Sequence, residues 1–175
     1  MANGNTPDLG PLVVSLGEIK AFLRLERDED DALIAGFIRT ATALCEAFTG
    51  QWLIDRAAEQ RLETTLGWQR LMAVPVTAIA GIDTAAGPLL PNAFDSDIDA
   101  AGTGWVRLRS VLPERPVVRL SAGLGRDWNG IPEPLRQGII RLVAHLYTHR
   151  DAADAGPPPA AVAAMWRPWR RLRLG

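Results

Sequence analysis

The clearest pattern in the chain is a run of apolar residues at helical spacing within residues 131–150. Its apolar positions recur at intervals of three and four residues: Leu135, Ile139, Leu142, Val143 and Leu146. This periodicity predicts an amphipathic helix with one broad buried face. Prolines near its start and basic residues near its end favour a helix over 133–150. We therefore expect a core helix whose apolar face packs against the rest of the chain.

The N-terminal part of the chain predicts two further helices. Ser15 and Glu18 have the spacing of a capping box, so we place a helix over 15–25. A longer amphipathic pattern predicts a helix over 30–49. The acidic run at 28–31 is interpreted as the start of that helix, where the dipole favours negative charge, rather than as a cation site.

Between the second and third of these helices the pattern changes to alternation, which is typical of strands. Strands are predicted near residues 60–65, 71–82, 105–109 and 116–121. Residues 83–104 are rich in Gly, Pro, Asp and Asn, which indicates a loop or a hairpin excursion. The predicted fold class is α+β, mainly helical, with a core of about four helices and a β-strand module inserted between the second and third helices.

The predicted organisation is a single domain over residues 1–175. Its segments are a flexible N-terminus (1–14), a helical part (15–50), a β-rich insertion (51–125), the core helix (131–150) and a C-terminal docking helix (159–175). The proline-rich residues 151–159 predict a stiff linker ahead of the last helix.

Composition and charge limit the chemistry that the chain can perform. The net charge is −1, so any attraction to nucleic acid would have to be local. The single cysteine, Cys45, excludes a disulfide framework, and its place on an apolar helix face predicts a buried, unreactive thiol. We expect no secretory signal, no membrane-spanning segment and no membrane partner.

Two short motifs have the spacing of metal sites but lack residues that such sites need. Asp95, Asp97 and Asp99 alternate as in a calcium loop, without its central glycine and closing glutamate. His145 and His149 are spaced to share a metal on one helix face, but no third ligand is evident. The sequence therefore predicts no catalytic, metal or cofactor site, and we expect a protein that is not an enzyme.

The C-terminal segment interleaves tryptophan with arginine. The residues concerned are Trp166, Arg167, Trp169, Arg170, Arg171 and Arg173. Three interpretations are open: a protein-docking element, a terminal helix whose tryptophans pack on its own domain, and a nucleic-acid contact through phosphate pairing and stacking. The proline-rich linker favours docking on a partner protein. On that interpretation, loss of the segment from Ala160 onward abolishes attachment to the partner protein and leaves the fold intact.

The order of these segments resembles the head–tail connector (adaptor) family of long-tailed phages and phage-like gene transfer agents. The opening helix carries a K-x-x-L-R run over residues 20–25, followed by an acidic turn and a long helix that closes with Phe48-Thr49-Gly50. Residues 117–125 (VVRLSAGLG) and the helix at 131–150 are similar to the second half of such proteins.

The resemblance implies a structural virion protein at the head–tail interface, assembled in the bacterial cytoplasm. Family members form a ring, usually a dodecamer, under the portal protein and join the DNA-filled head to a neck, stopper or tail-completion protein. The ring continues the DNA channel, and DNA passes through it without sequence-specific binding. The resemblance also implies that the C-terminal segment reaches the portal. The alternative is a DNA-binding or packaging-associated module that uses the Trp/Arg segment.

Overall fold

The computed structural model describes residues 13–150 and 159–171, which form four α-helices and seven β-strands. The helices are α1 (Leu16–Leu23), α2 (Asp31–Thr49), α3 (Glu133–Thr148) and α4 (Ala160–Trp166). The strands are β1 (Arg56–Arg61), β2 (Gln69–Arg70), β3 (Val76–Thr84), β4 (Gly87–Pro88), β5 (Phe94–Ile98), β6 (Gly104–Leu108) and β7 (Val117–Ala122). The chain divides into a helical unit, which contains α1 to α4, and a β unit, which contains all seven strands.

The prediction of a mainly helical chain is wrong. Of the described residues, 39% are helical and 25% lie in strands, and the strands form two antiparallel sheets. The placement of the strands between the second and third helices is confirmed. The physical reason for the error is that the strands form an apolar core of their own. Some of them also contain residues from the segment 83–104, whose composition indicated a loop or a hairpin excursion.

The two sheets of the β unit share that core. One sheet has the order β1-β7-β3-β4 and the other has the order β2-β6-β5. Both contribute inward-facing side chains, which alternate with outward-facing polar ones as expected for half-buried strands. The buried members of the cluster are Leu62, Leu71, Val76, Ile82, Val106, Leu108, Val118, Leu120 and Ala122.

The β5–β6 hairpin begins in the segment 83–104, for which the sequence predicted a loop or a hairpin excursion. Its turn is held by Asp99, whose carboxylate accepts hydrogen bonds from the backbone N–H groups of Ala101 at 2.9 Å and Thr103 at 2.8 Å. The Asp, Gly and Thr residues that indicated a loop therefore form the turn of a hairpin, and the strands continue on both sides of it.

The start of α1 has Ser15 as its N-cap, at the predicted position. The hydroxyl of Ser15 accepts a hydrogen bond from the backbone N–H of Glu18 at 3.1 Å. The helix ends when Arg24 adopts a left-handed conformation with φ 58°, and its N–H bonds back to the carbonyl of Ala21. The helix is therefore slightly shorter than the predicted range of 15–25.

The predicted buried faces of the two long helices are confirmed in part, because Leu33 and Leu44 on α2 are exposed and Leu146 on α3 is half-buried. In α2 the buried residues are Ile34, Ile38, Ala41, Cys45 and Thr49. In α3 they include Leu135, Ile139, Leu142 and Val143. Burial, with a smaller contribution from Glu46, raises the pKa of the Cys45 thiol to about 12, so the thiol stays protonated and unreactive near neutral pH.

α2 bears on the expectation that the chain has no membrane-spanning segment, which stays a prediction. By length and composition alone, this helix could cross a membrane. One face of it packs in the core of the helical unit, as the buried residues Ile34, Ile38 and Ala41 show. The predicted single domain over 1–175 stays a prediction, and residues 1–12 and most of the predicted linker, 151–158, lie outside the described residues.

Candidate functional site

The Trp/Arg segment begins inside the core of the helical unit. Trp166, the last residue of α4, is 1% exposed. Its ring centroid lies 5.9 Å from that of Phe48 on α2, and its indole N–H donates to the carbonyl oxygen of Leu135 at 3.4 Å. Because a buried indole needs a partner for its N–H, this contact with the first turns of α3 helps to fix the position of α4.

A glycine in the middle of α3 makes room for that indole. A Cβ placed on Gly138 would lie 2.8 Å from Cδ1 of Trp166 and nearer still to its Nε1. Real Cβ atoms do not approach other heavy atoms that closely, so any side chain at this position would displace the ring. Gly138 thus lets α4 pack closely on α3 through Trp166.

The arginines that follow Trp166 lie at the surface of their units. Arg167 and Arg170 are exposed, and Trp169 is half-buried in the short 3₁₀ turn Arg167–Trp169. The guanidinium carbon of Arg170 stands 5.8 Å from the centroid of the Phe48 ring, close enough for a cation–π contact. In the helical unit this places two cationic side chains beside a half-buried indole.

Arg171 belongs to the β unit, where its guanidinium donates to the carbonyl oxygen of Ala101 in the β5–β6 turn. Arg173 lies outside the described residues. The structure therefore brings together only part of the predicted set, with Trp166, Arg167, Trp169 and Arg170 on one helix end.

These positions separate two roles within the Trp/Arg segment. Trp166 packs on its own unit, as the interpretation of a terminal packing helix expects. Arg167, Trp169 and Arg170 retain surface that another molecule can contact, so their docking role stays a prediction. Removal of the chain from Ala160 onward would also remove the buried Val162 and Trp166, so we no longer expect such a deletion to leave the fold intact.

The two motifs with metal-site spacing have other partners in the structure. Asp95 accepts hydrogen bonds from the guanidinium groups of Arg107 at 2.7 Å and Arg109 at 3.0 Å. The rings of His145 and His149 lie 4.3 Å apart between centroids. Within residues 13–150 and 159–171, no group of three or more His, Cys, Asp or Glu side chains is arranged to hold a metal ion.

Sequence reasoning missed the surface features of the helical unit. Leu33 and Leu44 on α2 are 39% and 40% exposed, and Phe22 on α1 is 50% exposed. The available signal was the composition of α2, which is apolar on more than its core-facing side. The pairing of Trp166 with Gly138 was also missed, although a glycine inside a helical pattern often marks a close approach.

Comparisons with known proteins show what part of the chain is similar to a known family. The model of the phage gp6-like head-tail connector protein family matches residues 13–73, which span α1, α2 and the first strands. No curated protein sequence matches the chain.

Three solved structures share the fold over most of the chain. A chain from the neck of an empty gene transfer agent (GTA) particle, computed with C6 symmetry, is 26% identical with a TM-score of 0.75, over 93% of this chain and 91% of that one. A chain from the neck of a native GTA particle, computed with C12 symmetry, is 26% identical with a TM-score of 0.71, over 91% and 89%. A chain from the virion of a native GTA particle is 24% identical with a TM-score of 0.72, over 93% and 91%, and shows the shared fold.

A helical unit interrupted by a two-sheet β unit is thus the fold of a component of phage-like particles. The resemblance to the phage head–tail connector family is confirmed by the family match and by the fold. The comparisons support a structural connector role in the virion, at the interface between head and tail.

Proposed function

We propose that the protein assembles as a ring in the neck of a phage-like particle and connects the portal to the proteins below it. The observation that carries this proposal is the likeness to neck chains over more than nine-tenths of the sequence. The relatives come from necks computed with C6 and C12 symmetry, which supports a ring of copies. A ring of this kind needs head-to-tail contacts that close on themselves.

Within that ring, the surface at the end of α4 would be the portal-docking site. Trp166 fixes the helix in its own unit, and Arg167, Trp169 and Arg170 then present two positive charges beside an aromatic ring. Arg and Trp are enriched at the energetic centres of protein interfaces. A rigid base lowers the entropy that such side chains lose on binding, so the buried Trp166 contributes to docking by holding its neighbours in place.

The docking proposal is tested by charge reversal at the two exposed arginines. Arg167→Glu with Arg170→Glu should weaken pull-down on purified portal rings roughly tenfold or more, because like charges replace the predicted attraction. Arg61→Glu with Arg126→Glu is the matched control, since both arginines are exposed in the β unit and the change in net charge is the same. Equal binding of the two double variants would contradict the docking role.

The same variants address the alternative of a DNA-binding module. Gel-shift assays over a range of salt would detect binding to DNA, and phosphate contacts would give it a steep salt dependence. We expect little DNA binding from the unaltered protein. Tight, salt-dependent binding that is lost in Arg167→Glu with Arg170→Glu would favour the DNA-binding alternative.

A further inference from the structure

α2 is more apolar than its packing within the helical unit requires. Only 28% of its most apolar 18-residue window is buried. Beside its buried face runs a second row of surface residues with little charge: Leu33, Phe37, Thr40, Leu44 and Ala47. Their spacing of i, i+4, i+7, i+11 and i+14 puts them on one side of the helix. We call this row the α2 stripe.

Small residues border the α2 stripe. Ala32, Gly36 and Ala43 lie beside it, and a Cβ added to Gly36 would meet nothing within 4 Å. Small side chains let another helix approach closely, with the larger Leu and Phe side chains as ridges between them. The stripe therefore has the shape and the apolar character of a helix-packing surface rather than of a solvated face.

A groove lies on a different surface of the same unit. It has a volume of about 340 Å³ and lies between α1, α3 and α4. Its apolar lining includes Phe22, Ala144, Ala161 and Val162. No residue of α2 lines it, so the stripe and the groove are separate surfaces of one unit.

The charges around the two surfaces are complementary. Among the residues that the structure describes, the groove is lined by Arg141, His145 and His149 and by no acidic residue. α2 begins next to the acidic run 28–31, in which Glu29 is exposed, whereas Asp28 and Asp31 form ion pairs with Lys20 of the same chain. If the apolar side of α2 packed in the groove, the acidic side chains at the start of α2 could lie against the basic rim of the groove.

We propose that in the assembled ring the α2 stripe of one copy packs into the α1/α3/α4 groove of the next copy. This inference rests on the proposed ring and names the surfaces that join its subunits. Two different surfaces on one unit make a heterologous contact, which repeats from copy to copy and closes when the rotation fits. An isologous contact between two α2 stripes would leave the groove uncovered.

Cysteine cross-linking in purified particles tests this contact directly. The double variant Leu44→Cys with Ala161→Cys places one thiol on the stripe and one at the groove, both at exposed positions. Treatment with a short bismaleimide should then give a ladder of covalent multimers that extends well beyond the dimer. The unaltered chain should give no ladder, because its only thiol, Cys45, is buried with its pKa raised to about 12.

The single variants and electron microscopy separate the outcomes. Each single variant should stay monomeric on denaturing gels, because a heterologous contact does not bring two equivalent positions together. A dimer from Leu44→Cys alone would indicate an isologous α2 contact and overturn the inference. If electron microscopy showed rings in the necks but cross-linking gave no ladder of multimers, the inference would also be overturned. The proposed function would not be contradicted by that result. That result would fit occupation of the groove by residues 151–158 of the same chain.

A charge placed in the stripe gives a second, independent readout. Leu44→Glu should abolish incorporation of the chain into necks while its thermal unfolding is unchanged, since this side chain is already 40% exposed. Arg39→Glu is the control, because Arg39 is exposed on α2 but lies off the stripe. Normal incorporation of Leu44→Glu would contradict the proposed contact.

Discussion

At the residue scale, the packing of α4 on α3 depends on one large side chain that lies against a glycine. Trp166 fills the space that Gly138 leaves in α3, and the two positions lie on different helices. Neither residue alone indicates this pairing, because a glycine inside a helix costs stability and an isolated tryptophan near a terminus fits several roles. Their combination explains why the Trp/Arg segment contains both a core anchor and surface arginines.

Alanine substitutions at two helical glycines test this packing. Gly138→Ala should destabilise the fold by about 1–3 kcal/mol, because the new methyl group displaces the Trp166 ring. Gly36→Ala is the matched control on α2, where the added Cβ meets nothing within 4 Å. That variant should stabilise the fold by about 0.5–1 kcal/mol, because alanine favours the helix. Chemical denaturation measures both, and a change of the same sign in the two variants would contradict the packing at Gly138.

At the scale of elements, apolar periodicity predicted the helices well because it reports burial on one face. The core faces of α2 and α3 follow directly from the spacing of their apolar residues. The same signal failed for β5, whose sequence FDSDI carries two aspartates on its outward face. Asp95 is tolerated there because Arg107 and Arg109, on the neighbouring strand and its extension, neutralise its charge. Such cross-strand pairing is invisible until the strand register is known.

The Trp/Arg segment shows the same limit for the candidate site. Its composition indicated a contact surface, but composition does not distinguish a tryptophan that packs on its own unit from one that meets a partner. The segment that contains β5 was likewise predicted only as a loop or a hairpin excursion, because Asp99 and Gly102 favour turns regardless of what flanks them. Long-range packing decides both cases, and a single sequence does not contain it.

The ion pairs of Asp95 predict a pH dependence for the hairpin. Arg109 and Arg107 lower the pKa of the Asp95 carboxyl below its usual value. A carboxyl with a lowered pKa in the folded state stabilises the fold above its unfolded pKa. That contribution is lost as the pH falls through its folded pKa. Asp95→Asn should therefore lower the melting temperature at pH 7 and have a smaller effect in acid below both pKa values.

The control for this prediction lies on the same strand. Asp97 faces the same side of β5, and its carboxylate has no hydrogen bond or ion pair with any described residue. Asp97→Asn should leave the melting temperature at pH 7 nearly unchanged. Circular dichroism melts from neutral to acidic pH compare the two variants, and equal losses at pH 7 would show that the Asp95 ion pairs do not stabilise the hairpin.

At the scale of the whole molecule, the helical unit and the β unit have distinct parts in the proposed assembly. The helical unit carries the α2 stripe, the groove, Arg167 and Arg170, so most of the proposed contacts involve this unit. The β unit has its own apolar core between two sheets. A structural connector needs several surfaces on one chain, and this division provides them without a catalytic or cofactor site being required.

The most direct test of the central claim is cryo-electron microscopy of purified particles that contain this protein. The account predicts density for its fold as a closed ring of copies in the neck, between the portal and the proteins below. In that ring the end of α4 should face the portal. Particles that assemble a complete neck without this chain, or that hold it elsewhere than at the head–tail junction, would contradict the account.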